Sequence, residues 1–123
     1  MKRVVLFFLG LSLALAQSPL QQAPERWRAK ANPLAGDAQA AQAGAKLFAR
    51  ECAACHGDNG EGLGKAPALK RADVGQAPPG ALFWVLENGA LWQGMPSFAH
   101  LPEAQRWQII TYVQALSARK KPE

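Results

Sequence analysis

With 123 residues the chain has room for one domain, and its 49% hydrophobic content allows that domain a core. A formal charge of +5 comes from 14 Lys and Arg against 9 Asp and Glu, scattered along the chain rather than clustered. No basic block interleaved with aromatics points to nucleic acid, and the two cysteines lie too close together to constrain much chain as a disulfide.

The first element in chain order is a leader. Lys2 and Arg3 precede an almost unbroken apolar run over residues 4–15, and Ala14-Leu15-Ala16 supplies the small-x-small pattern of signal-peptidase sites. The spacing predicts a signal peptide over 1–16 and a soluble, exported product beginning at Gln17. The run is shorter than the roughly 20 residues of a membrane span, and an uncleaved N-terminal anchor is the alternative. No cysteine near the cut site would carry a lipid. Losing Lys2 and Arg3 takes the formal charge from +5 to +3, a mild bias that suits acidic protein partners.

Residues 17–33, rich in Gln, Pro and charge, read as a linker or an N-terminal arm laid over the domain, with Trp27 as its anchor; terminal disorder is the alternative. The domain itself is expected over 34–118, followed by a short tail at 119–123. From Asp37, a plausible N-cap, Ala41, Gly44, Ala45 and Phe48 recur at helical spacing. Glycines and prolines break residues 57–80 into loop, with a helical turn expected over 65–72. A short apolar helix is predicted over 81–87, stopped by a left-handed cap at Asn88-Gly89. A loop over 93–100 carries Gly94-Met95-Pro96. The last helix is expected from Pro102, with Ile109, Tyr112, Val113 and Leu116 on one face, widened by Trp107 and Ile110. Nothing alternates with the period of a strand, so the fold class is all-α.

The chemistry lies in Cys52-Ala53-Ala54-Cys55-His56, the C-x-x-C-H pattern of covalent haem attachment. Residues three apart on a helix share a face, so both thiols can reach two vinyl groups of one porphyrin. His56, one turn beyond Cys52, then offers an imidazole nitrogen to the iron. Two other readings compete. A thioredoxin-like disulfide wants an α/β setting that the pattern lacks, and a structural zinc wants four ligands, with only His100 left to supply another. For the sixth iron position, Met95 is the only methionine after the leader. Gly94 lets the backbone approach the haem and Pro96 keeps Met95 extended. His100 is the rival, and its plainer reading is a surface residue ahead of the last helix.

On these residues the sequence resembles class I cytochrome c in its compact bacterial monohaem form, over residues 32–118. Gly44 and Phe48 look like the family's N-terminal helix signature, where the glycine admits the C-terminal helix; Ile109 and Tyr112 look like the residues packing into that crossing. The resemblance implies that Pro67 offers its carbonyl to the other nitrogen of His56 and that Leu69 packs on the haem. His56 and Met95 are 39 residues apart, so the loop of the long mitochondrial form is cut back and one haem edge is expected to be more exposed. Trp84 and Trp92 are candidates for haem-wall or propionate contacts, with core packing as the plainer account of each.

The expected function is one-electron carriage by a periplasmic monohaem protein, without catalysis of its own, in a respiratory or dehydrogenase chain. Haem c and its iron are the expected cofactors, held by the Cys52 and Cys55 thioethers and by His56 and Met95 as axial ligands. Redox proteins such as a dehydrogenase or oxidase are the expected partners, and a membrane enters only as a partner surface or through an uncleaved leader. A ligand-binding or peroxidase-like haem protein, a thiol oxidoreductase, and a subunit held in a larger complex are the competing roles.

Overall fold

The computed structural model describes residues 18–64 and 66–118; the expected signal peptide and C-terminal tail lie outside them. In chain order the helices are α1 (Glu25–Arg28), α2 (Ala38–Glu51), α3 (Ala53–His56), α4 (Ala72–Gly75), α5 (Pro79–Asn88) and α6 (Glu103–Ala118), with a 3₁₀ turn at Leu91–Gln93. No strand occurs among the described residues, only an isolated antiparallel bridge between Ala90 and Met95. The all-α expectation is borne out. No helix among the described residues is long and apolar enough to cross a membrane.

Asp37 starts α2 by accepting from Gln39 N at 2.9 Å and Ala40 N at 3.0 Å, which satisfies two of the helix's unpaired donors. The buried face of α2 is Ala40, Gly44, Leu47 and Phe48. That face is turned slightly from the expected stripe: Ala41 and Ala45 are only half-buried. The two larger side chains, Leu47 and Phe48, point the helix at the core, because burial follows apolar area.

Gly44 permits the central crossing. A Cβ there would overlap the carbonyl of Gln108 on α6 and sit 2.9 Å from Tyr112 Cβ. The two backbones therefore meet without side chains between them. One turn on, Phe48 packs against Tyr112 with ring centroids 5.3 Å apart at 56°. From α6, Trp107, Ile109, Ile110, Val113 and Leu116 are buried.

The helical turn expected over 65–72 begins instead at Ala72. Ala66 N bonds Leu63 O at 3.1 Å, and Leu69 N and Lys70 N both turn back to Gly60 O, so this stretch is a loop folded on itself. Helix α5 begins at Pro79, two residues earlier than expected, because Pro79 sits at its first position and needs no donor there. Gly89 ends it at φ 71°, ψ −175°, a positive φ with extended ψ rather than the expected left-handed cap. Helices α5 and α6 are joined by the stacked rings of Phe83 and Trp107, 4.3 Å apart. An ion pair between Glu87 and the buried Arg106 lies beside them, with the guanidinium 4.6 Å over Phe83.

Candidate haem-binding site

Helix α3 extends α2 after a break at Cys52, whose φ of −122° departs from helical geometry. The hydrogen bonds nonetheless carry across: Cys52 N reaches Phe48 O at 2.8 Å and His56 N reaches Cys52 O at 3.0 Å. The i, i+3, i+4 placement of Cys52, Cys55 and His56 is thus preserved, and Gly57 ends the run at φ 87°. Both cysteines are free thiols, Cys52 half-buried and Cys55 exposed.

All three side chains line one cavity of about 700 Å³, within the roughly 300–1,000 Å³ of cofactor-sized clefts. Met95 lines the same cavity, brought there by the 3₁₀ turn and the bridge to Ala90. Gly94 allows that turn with φ 87° and ψ 6°, the left-handed conformation that side chains disfavour. Open space surrounds its would-be Cβ. Gly94 thus turns the chain and itself lines the cavity. Apolar walls come from Phe48, Leu69, Val74, Leu86, Phe98 and Ile110, and the charged lining residues are Glu51 and Arg71, the latter paired to Asp73 at 2.9 Å.

His56 Nδ1 lies 2.9 Å from Pro67 O. With Nδ1–H donated to that carbonyl, Nε2 is left as the basic nitrogen, and the ring's orientation is held. Thiols one turn apart, an imidazole with one nitrogen occupied, a thioether and a largely apolar surround form a set that fits covalent haem. Over residues 39–113 the sequence matches the family model described as "Cytochrome C oxidase, cbb3-type, subunit III". The chain belongs to that family and is a class I c-type cytochrome.

Among solved structures, cytochrome cL from the marine methylotrophic bacterium Methylophaga aminisulfidivorans is similar, with 27% identity and a TM-score of 0.57. The match covers 68% of this chain and 59% of the other, so the cytochrome spans under two thirds of that neighbour's length. No curated protein matches. Membership of the family carries the cofactor: covalent haem c with its iron. It also carries the general role, electron transfer.

The competing chemistries fare poorly in this cytochrome. Burial, then the neighbouring Glu51 and Cys55, push the Cys52 thiol up to about 12. Thiol–disulfide catalysis needs the reverse, a thiolate stabilised near neutrality. Among the described residues no group of three or more His, Cys, Asp and Glu side chains is placed to hold a metal ion. His100 is exposed, its ring 6.0 Å from that of Phe98, and does not line the cavity.

Neither Trp84 nor Trp92 lines the cavity. Trp84 is half-buried, and Trp92 is fully exposed at 104%, so core packing does not account for Trp92. It belongs to the 3₁₀ turn, of which Gln93 lines the cavity while Leu91 and Trp92 stand exposed. Sequence reasoning missed the contribution of Ser18, Pro19 and Leu20, which also line the cavity. Their only signal was an apolar residue in an otherwise polar arm.

Proposed function

We propose that this cytochrome is an exported one-electron carrier that holds haem c through Cys52 and Cys55 thioethers and ligates its iron with His56 and Met95. The observation behind this reading is convergence: side chains 39 residues apart in sequence wall one apolar cavity together with the two thiols. When bound, haem c supplies an iron that alternates between ferrous and ferric states. His56, oriented by the Pro67 carbonyl, would hold the iron through Nε2 and Met95 through its thioether, a donor that would raise the potential relative to a second nitrogen. With both ligands coming from the protein, the iron would have no open position for substrate, and the protein's part would be burial, ligation and orientation. The leader at 1–16 and the attachment motif both point to the periplasm as the place of work. A dehydrogenase as donor and an oxidase as acceptor suit a small, mildly basic carrier.

The test is a reduced-minus-oxidised absorption spectrum of protein co-expressed with a c-type maturation system, followed by denaturation. Sharp c-type bands, haem retained on the unfolded chain and a weak long-wavelength iron–sulfur band are expected. A colourless product from a working maturation system would sink the reading. A c-type spectrum without the iron–sulfur band would move the function toward ligand binding.

Docking offers a second measurement. Leu91 and Trp92 are 71% and 104% exposed beside the cavity-lining Gln93, and Leu63, itself a lining residue, is 50% exposed. Large exposed apolar side chains at a cavity rim or next to it in sequence are what a transient redox partner covers. Trp92→Ala is expected to leave spectrum and potential unchanged while slowing reduction by the physiological donor about tenfold, the scale of about 1.4 kcal/mol lost at an interface. An unchanged rate removes Trp92 from the docking surface.

A further inference from the structure

The family match begins at residue 39, yet the segment ahead of it reaches the cavity. Ser18, Pro19 and Leu20 line it, and Leu20 packs against the buried core. This contact is anchored at several points. Arg28 Nη1 donates to Leu20 O at 3.1 Å, closing the segment between two residues eight positions apart into a loop. Ala23, inside that loop, is 5% exposed. The Trp27 ring stacks on Phe83 of α5 with centroids 5.8 Å apart at 19°, and Lys30 Nζ lies 4.4 Å over the Trp27 ring. Gly80 lets the segment settle on α5, since a Cβ there would overlap the Trp27 carbonyl. At its far end, Asn32 Nδ2 donates to Thr111 Oγ1 on α6 at 2.9 Å, a buried bond. A frayed terminus would make none of these contacts.

The geometry points to the arm as a part of the haem pocket: Leu20, flanked by Pro19 and Ser18, closes a side of the cavity against the macrocycle. This rests on the haem reading above and goes beyond it, because these residues lie outside the matched domain. The reason is spatial. Only 39 residues separate His56 from Met95, so little chain between the ligands is available to cover the cofactor's edge. The arm, strapped to α5 by Trp27 and to its own start by Arg28, adds apolar wall to the cavity. A leucine and a proline at that place exclude water from the cavity, and exclusion of water disfavours the more positive oxidised state, which holds the reduction potential up.

The experiment uses the complete, haem-loaded protein. In the reduced, diamagnetic form the Leu20 methyl resonances, assigned through the backbone, are expected well upfield of ordinary leucine methyls, displaced by the porphyrin ring current. Leu20→Gln is expected to keep the c-type bands and lower the reduction potential, and Arg28→Ala to shift it the same way by less. Leu20 methyls at ordinary positions in a protein with an intact c-type spectrum would overturn the proposal while leaving the haem reading standing. So would a potential unmoved in Leu20→Gln. A chain that never acquires haem overturns both.

Discussion

Met95→Ala is expected to keep its haem on the chain and lose the long-wavelength iron–sulfur band. Its reduction potential should fall by on the order of a few tenths of a volt, within the roughly 0.8 V range that axial ligands command. The attachment residues are untouched by this change, since Cys52, Cys55 and His56 belong to the α2–α3 run and Met95 to the turn beyond α5. The removed group is a soft thioether that favours ferrous iron, and water or an added ligand takes its place. The potential and the band should therefore move together. Carbon monoxide, which the parent should bind slowly, should bind the reduced variant rapidly. A variant that loses the band yet keeps the parent's slow carbon monoxide binding would assign its sixth position to another residue. His100, exposed and outside the cavity, would have to move to compete.

Gly44→Ala is the second large effect, and its sign is opposite to that expected from helix propensity. In an exposed helix the change stabilises by about 1 kcal/mol. Here the added Cβ would overlap the Gln108 carbonyl on α6, a backbone atom that cannot rotate away. Overpacking at such a contact costs up to about 3 kcal/mol, so the net result is a loss of about 2 kcal/mol. Urea unfolding of the haem-loaded protein should show a lower midpoint with an unchanged slope. Because α2 leads directly into Cys52 and α6 carries Ile109 and Ile110 into the cavity, separating these helices should also loosen the pocket. The iron–sulfur band is expected to vanish at lower urea than global unfolding. Unaltered stability would mean that the crossing has slack.

Much of this was legible along the chain because the signals are local. Asp37 as a cap, Phe48 and the α6 stripe as core, and C-x-x-C-H as an attachment site each depend on residues within one or two turns of one another. Local spacing is enough when a helix sets the geometry. The misplacements arose where local rules are weak. The stretch over 65–72 has no strong helical face, and hydrogen bonds from Leu69 and Lys70 back to Gly60 decide its path. Trp92 reads as core by composition, yet it stands fully exposed on a one-turn element whose Gln93 is the residue that lines the cavity.

The sequence by itself determined the all-α class, the covalent haem motif and the shortlist of iron ligands, for each is written in spacing over a few residues. Only the tertiary structure decided what surrounds them. Met95 and His56 share a cavity because α5 and the 3₁₀ turn return the chain to α3, and His100 is left outside by the same path. The Pro67 carbonyl meets His56 Nδ1 across 11 residues of loop. The arm reaches the cavity because Trp27 finds Phe83, 56 positions further along the chain. Such meetings depend on which surfaces bury each other best, a balance struck over the whole molecule and invisible in any short window of sequence.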